Sequence, residues 1–203
     1  VDCNGGNSGA AQVNAVGGVA PYTYNWNTIP VQNGPSVAAL TAGTWTVTLT
    51  DANGCTGTHN VLITEPPATL SASITSSTDV SCFSDATGSA TASAIGGTAP
   101  YTFNWNTTPQ QTTATATGLV AGTWICTITD DNGCTATASI TIDQPAAALS
   151  ASIVAQENVS CLGAADGNAI VNGAGGTAPY TYAWNTVPIQ TSATMSGVGP
   201  GTY

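Results

Sequence analysis

The residues of this chain whose type and spacing could do chemistry are its six cysteines. Five keep a fixed spacing: Cys3, Cys82 and Cys161 stand 79 residues apart, and so do Cys55 and Cys134. Thiols at repeating phases in loops or at strand ends read as disulfides in an exported protein, whereas a metal site would want a Cys-x-x-Cys pair, and the chain has none. Two connectivities compete. Pairing inside a copy, Cys3 with Cys55 and Cys82 with Cys134, closes 52 residues each time and contributes about 4 kcal/mol in the chain-entropy picture. Pairing between copies sets Cys3 against Cys134, because the loop after the first strand and the last hairpin of a sandwich lie at opposite ends, and end-to-end stacking would bring those ends together. Spacing alone leaves both open. Cys126, the sixth, takes the place of Val47 in an apolar row and is expected to be a buried free thiol serving as a small apolar residue.

The other candidates have simpler explanations. Asp51 with Asn53, and Asp130 and Asp131 with Asn132, could offer oxygen ligands to calcium, with Glu65 as a further donor, but Asp-Asn-Gly makes a tight hairpin without any ion. No cofactor other than that calcium is implied. No two carboxylates are placed as an acid and base pair. His59, the single histidine, has Ala138 as its counterpart one period on, so it cannot serve a chemistry common to the copies, and a Ser-His-Asp arrangement falls with it. Asn106-Thr107-Thr108 and Asn158-Val159-Ser160 match the N-glycosylation pattern, and dense Ser and Thr make O-linked sugar an equal expectation. The rows Thr46, Thr48, Thr50 and Thr127, Thr129 could present hydroxyls to ice or glycan, although threonine is simply a good residue for the wet face of a strand.

Charge narrows the function classes. The chain has no lysine or arginine, ten acidic residues and a formal charge of −10, so it lacks the cationic footprint that nucleic acids or anionic lipids require. It offers no trypsin-type cleavage site, which suits exposure outside the cell, and no lysine for a lysine-asparagine cross-link, leaving cysteine as the covalent staple. No run of 18 apolar residues and no basic-then-apolar leader occurs, so no direct membrane insertion is expected of this segment.

The elements that position these residues recur with the same period. Gly17-Gly18-Val19-Ala20-Pro21-Tyr22-Thr23-Tyr24-Asn25-Trp26 returns at Gly96–Trp105 and again at Gly175–Trp184, 79 residues apart each time, which makes the 203-residue chain an array of about two and a half units. The copies are expected over 1–67 (first strand absent), 68–145 (complete) and 146–203 (closing strands absent), so that the chain reads as a window on a longer array. A unit this small buries only about 60 to 65% of its unfolded surface, and cross-links or neighbours would help it. Within the second copy, alternation predicts strands throughout: Leu70, Ala72, Ile74; Ala90, Ala92, Ala94; Tyr101, Phe103, Trp105; Thr112 to Leu119; Trp124, Cys126, Ile128; Ala138, Ile140, Ile142. Asp131-Asn132-Gly133 predicts a type I′ hairpin turn. Tyr22, Tyr24, Trp26, Trp45, Tyr101, Phe103, Trp105, Trp124, Tyr180, Tyr182 and Trp184 fall in the inward phase and are expected in a core. Six or seven short strands with turns every 8 to 12 residues describe an all-β fold, tandem immunoglobulin-like (PKD-like) antiparallel sandwiches. The proline-stiffened joints Glu65–Thr69 and Asp143–Ala148 would make a rod of them.

Gly-Gly-Thr-Ala-Pro-Tyr-Thr-Phe-Asn-Trp, followed by Gly118-Leu119-Val120-Ala121-Gly122-Thr123-Trp124 and Thr129-Asp130-Asp131-Asn132-Gly133-Cys134, resembles the SprB repeat of long Bacteroidota surface proteins, including the mobile adhesin of gliding cells for which it is named. The resemblance covers both fuller copies and the third as far as it runs. Trp45 and Trp124 in place of a commoner Tyr, and the extra Cys126, depart from it. It implies an extracellular β-sandwich array, exported by the type IX route and serving adhesion or filament formation, with no catalytic residues to carry over. The leading expectation is therefore a structural, non-enzymatic shaft, whose partners are neighbouring repeats, other copies of itself and surface glycans. A carbohydrate- or matrix-binding module and a spacer of a secreted enzyme are the alternatives.

Overall fold

A computed structural model describes residues Val1–Tyr203. The first copy contains β1 (Gly9–Gln12), β2 (Thr23–Trp26), β3 (Ser36–Leu40), β4 (Gly43–Thr50) and β5 (Thr56–Ile63). The second contains β6 (Ser71–Thr78), β7 (Gly88–Ile95), β8 (Thr102–Trp105), β9 (Thr115–Leu119), β10 (Gly122–Thr129) and β11 (Thr135–Ile142), and the third β12 (Ser150–Glu157), β13 (Gly167–Ala174) and β14 (Thr194–Val198). There is no helix. The sheets are β1-β3, β2-β4-β5, β6-β7-β9, β8-β10-β11 and β12-β13-β14.

The chain thus crosses between two sheets as it advances, β8 leaving the sheet of β7 and β9 rejoining it. Such crossing, with a side-chain period of two, directs alternate residues inward from both sheets and makes the immunoglobulin-like sandwich. In β10, Cys126 and Ile128 are fully buried while Thr127 is half-buried, and in β7 Ala90 and Ala92 are buried between Ser89, Thr91 and Ser93. The core of the first copy gathers Trp26, Val37, Leu40 and Val47, with Ala11, Val13, Tyr24, Trp45, Val61 and Ile63 against it. Burying side chains of this size contributes about 1.5 to 3 kcal/mol each.

Register fixes the aromatic signature on its sheet. β2 pairs β4 with Trp26 opposite Val47 and Tyr24 opposite Leu49, and β8 pairs β10 with Trp105 opposite Cys126 and Phe103 opposite Ile128. Residues 181–184 of the third copy, the counterpart of β2 and β8, form no ladder.

By compactness the chain falls into two units. The first comprises Val1–Ser76, Thr91–Ala116 and Trp124–Ile140, and the second Ser77–Ala90, Thr117–Thr123 and Thr141–Tyr203, so the second copy contributes residues to both.

The closing hairpins depart from what Asn-Gly predicts. They are not type I′ turns, which need positive φ at both central residues; only Gly54 (φ 83°) and Gly133 (φ 82°) have it, and Asn53 and Asn132 do not. The Gly54 N–H donates to the Asp51 carbonyl and the Gly133 N–H to that of Asp130, each at 3.0 Å, which is an ordinary β-turn closed by a left-handed glycine. The aspartate that opens each turn, rather than the Asn-Gly pair, selects this geometry.

Candidate functional site

The local chemistry is concentrated where the opening turn of the first copy meets the closing hairpin of the second, all within the first compact unit. Two loops and a linker build it.

The opening turn carries Cys3. Its carbonyl accepts the Gly6 N–H at 2.9 Å, and the Asp2 N–H donates to Ser8 Oγ at 2.9 Å. The same turn grips the linker that follows β5. The Val1 nitrogen donates to the Thr64 carbonyl (2.6 Å), the Gly5 N–H to Glu65 Oε2 (2.5 Å) and Asn4 Nδ2 to the Pro66 carbonyl (2.8 Å), while Asn4 Oδ1 accepts the Thr69 hydroxyl (2.8 Å). These donors satisfy the Thr64 and Pro66 carbonyls of a linker whose prolines 66 and 67 have no N–H of their own.

The closing hairpin carries Cys134, and Asp130 organises it. Asp130 is 5% exposed; its Oδ1 accepts the N–H of Asn132 (3.0 Å) and of Cys134 (2.8 Å), and its Oδ2 accepts the Thr98 N–H (2.9 Å). A carboxylate accepting several backbone amides holds a turn better than neutral acceptors do. Thr98 belongs to the Gly-Gly signature, which explains the glycines. A Cβ on Gly97 would stand 2.5 Å from Asp130 Oδ2, and one on Gly96 would collide with the Thr69 carbonyl of the linker.

Across this contact Cys3 and Cys134 form a disulfide with Cα atoms 5.8 Å apart, separated by 131 residues. Asn132 Nδ2 adds a hydrogen bond to the Asp2 carbonyl (2.9 Å) and another to Thr98 Oγ1 (3.0 Å). The cleft beside the disulfide, about 350 Å³, is lined by Cys3, Asn4, Thr69, Leu70, Gly133 and Cys134 among others. Of the two connectivities the spacing left open, this structure contains the one between copies. The arrangement can join and immobilise two copies.

The remaining candidates are dispersed. Cys55, Cys82 and Cys161 are exposed and unbonded, while Cys126 is fully buried and unbonded, its thiol pushed up by desolvation. Asp51 repeats the role of Asp130: Oδ1 accepts the N–H of Asn53 (2.9 Å) and Cys55 (2.8 Å), and Oδ2 that of Val19 (3.0 Å). Those amides, of Cys55 above all and then Val19, hold its carboxyl below the ordinary aspartate range. Asp131 and Asn53 are exposed, and Glu65 is engaged by Gly5; no three His, Cys, Asp or Glu side chains converge as a metal site would require. His59 is exposed on β5, opposite Val47. Asn106 is exposed with its Oδ1 accepting the Ile125 N–H (2.8 Å), which leaves its nitrogen free of that bond, and Asn158 is exposed. The threonines at 46, 48, 50, 127 and 129 are half-buried, and the Thr46 hydroxyl donates to Asn60 Oδ1 (2.8 Å).

The aromatics divide by depth. Trp26 and Trp105 are buried with their indole N–H groups on the Gly34 and Thr113 carbonyls, and half-buried Trp184 does the same with Ser192, each at 3.0 Å. Tyr22, Tyr101 and Tyr180 are half-buried. Their hydroxyls donate to the carbonyls of Gly17 (2.7 Å), Gly96 (2.8 Å) and Gly175 (2.6 Å), so each tyrosine closes the glycine turn that precedes it. Tyr24, Trp45, Phe103, Trp124 and Tyr182 are also half-buried.

Sequence reasoning missed Asp2, Asn4, Thr98 and Asn132 as junction residues. Asp-x-Asn-Gly-Cys at both hairpins was the available signal for the aspartate's part, since an aspartate side chain commonly accepts the amide two residues on.

A model of the SprB repeat matches residues 1–31, 74–109 and 153–188, together half of the chain. Curated proteins return no match. Among solved structures, the three N-terminal domains of the highly immunogenic outer capsid protein of bacteriophage RB49 align at 16% identity over 88% of this chain and 69% of that one, with a TM-score of 0.39. The N-terminal eight immunoglobulin domains of Down syndrome cell adhesion molecule align at 14% identity over 83% and 25%, with a TM-score of 0.33. A tetra-tandem repeat in the extending region of a large adhesion protein aligns at 17% over 89% and 60%, with a TM-score of 0.27.

Proposed function

Because this chain belongs to the SprB repeat family, and with it to the extracellular repeat proteins, we propose that it is a non-catalytic structural segment: the shaft of a cell-surface adhesin or of an extracellular filament. The observation that carries this reading is the Cys3–Cys134 disulfide, which ties one copy to the next. A shaft needs its joints to resist being pulled apart, and a covalent bond across the joint supplies that resistance. Hydrogen bonds from Asn4, Gly5 and Val1 to the linker stiffen the same joint. The absence of lysine and arginine suits a surface exposed to trypsin-like proteases.

Pulling single molecules by their ends tests the reading. With the disulfide intact, the segment from Cys3 to Cys134 should release no extension on unfolding; after reduction those 131 residues should add up to about 470 Å at full stretch. Equal extension with and without reductant, or specific saturable binding on a glycan array, would replace the shaft reading with one of a flexible spacer or of a binding module.

A further inference from the structure

Three other cysteines stand at the same two phases as the bonded pair. Cys82 and Cys161 occupy opening turns, as Cys3 does, and Cys55 occupies a closing hairpin, as Cys134 does; all three are exposed and unbonded. We propose that each is an open half of the same staple: every opening-turn cysteine bonds the closing-hairpin cysteine of the copy that follows, so Cys82 and Cys161 pair forward and Cys55 pairs backward, with adjoining copies of this repeat.

The bonded pair in this chain carries the inference, because it shows which phases meet and in which order. The open halves are also built as the bonded halves are. The Cys3, Cys82 and Cys161 carbonyls accept the N–H of Gly6, Asp85 and Ala164 at 2.9, 3.1 and 3.0 Å. Each turn is braced from the residue before its cysteine, the N–H of Asp2, Ser81 and Ser160 donating to Ser8, Thr87 and Asp166. The linker grip recurs too, Ser84 N–H on Gln144 Oε1 repeating Gly5 on Glu65. On the other side, the Cys55 N–H donates to Asp51 as the Cys134 N–H does to Asp130, both at 2.8 Å. Neither half needs reshaping to receive its partner.

The order shown by Cys3 and Cys134, a turn bonded to the hairpin of the copy after it, argues against other pairings, a Cys55–Cys82 bond included, since Cys55 stands in the copy before Cys82. Cys134 is already bonded to Cys3, and Cys82 and Cys161 share a phase, so they are two turns and not a turn and a hairpin. The 131-residue step from Cys3 to Cys134, applied to Cys82, arrives ten residues beyond Tyr203, at the closing-hairpin phase of the third copy. Cys126 is fully buried and stands outside the scheme. Each bond forms by transfer of two electrons and two protons from a pair of thiols to the disulfide of a protein thiol oxidoreductase in the export pathway, which leaves as a dithiol.

Disulfide mapping of the protein as isolated in its native array, without reductant, tests this. The chain is denatured in an alkylating reagent and digested with pepsin at low pH, which suppresses exchange and cuts a chain that trypsin cannot. Cys126 alone should be alkylated, and Cys55, Cys82 and Cys161 should each appear linked to a peptide of the opposite phase. Alkylation of any of those three, a bond between two like-phase cysteines, a bond of Cys55 to Cys82, or a bond to Cys126 would overturn the proposal. A denaturing gel with and without reductant separates the two sources of partner: a copy in the same polypeptide leaves the chain mass unchanged, whereas one in another polypeptide gives oligomers that reductant collapses. In the Cys82→Ser protein one further thiol, on a closing hairpin, should become alkylated, and no gain of a thiol would count against the scheme.

Discussion

The hairpins Asp51–Cys55 and Asp130–Cys134 are built by the same hydrogen bonds to within about 0.1 Å, yet only the second carries a bonded cysteine. Asp130 is buried and Cys134 half-buried, whereas Asp51 is half-buried and Cys55 exposed. The difference is the opening turn seated on the second hairpin, which brings the disulfide and the bond from Asn132 to the Asp2 carbonyl. The hairpin is therefore organised by its own aspartate, and the neighbouring copy occupies it without making it.

The largest test of that contrast is removal of the staple. In the chain-entropy picture a loop of 131 residues is worth about 5 kcal/mol, so the Cys3→Ser, Cys134→Ser protein should lose stability toward that limit while its second hairpin keeps its fold. Denaturant unfolding followed by tryptophan fluorescence gives the loss, and amide shifts of Asn132 and Cys134 report the hairpin. Collapse of those shifts would mean that the neighbour makes the hairpin after all.

Asp130→Ala comes next. It strands the amides of Thr98, Asn132 and Cys134 at a buried position and should cost about 3 kcal/mol. Asp51→Ala removes the same bonds at a more solvated site and should cost less, as the two unfolding midpoints would show. Equal losses would erase the difference in burial as an energetic factor.

A smaller effect tests the copies at one backbone position. Ala39 has φ 57°, where its counterparts Gly118 and Gly197 have 67° and 69°. A left-handed alanine is strained and a glycine is not, so Ala39→Gly should stabilise by about 0.5 to 1 kcal/mol and Gly118→Ala should destabilise by about 1 kcal/mol. A Cβ on Gly118 would meet nothing nearer than the Ala86 carbonyl at 3.9 Å, so the backbone alone sets that sign. Thermal midpoints of the two variants should move in opposite directions.

The smallest effect is that of pH on the unstapled hairpin. The Asp51 carboxyl is held below its ordinary value of 3.8 by the Cys55, Val19 and Asn53 amides, so the folded hairpin favours the carboxylate. Its contribution is complete above that ordinary value and is lost as pH falls through the lower folded one. Amide shifts of Asn53 and Cys55 should titrate with a midpoint below 3.8; a midpoint at or above it would remove the aspartate from its organising role.

Much of the fold was legible from residue order. The alternation of Cys126 and Ile128 with Thr127 and Thr129 predicts one inward row because successive strand side chains point to opposite faces, and β10 buries that row. The recurrence of Gly-Gly-x-Ala-Pro-Tyr likewise marks a turn, although that its tyrosine hydroxyl closes the turn is a matter of reach in three dimensions. Asn-Gly marks the hairpin at its observed place but predicts a turn type that the hairpin does not have. Asn-Gly favours type I′ only when nothing else competes for its amides, and the Asp130 carboxylate does compete.

By itself, then, the amino-acid order determined the period, the strands, the inward phases and the places of the five repeating cysteines, all of which follow from local geometry and spacing. Tertiary structure alone decided that Cys3 meets Cys134. Cys3 stands 52 residues from Cys55 and 131 from Cys134, and because loop-closure entropy grows only slowly with length, that distance barely distinguishes the partners. What distinguishes them is which turn packs against which hairpin.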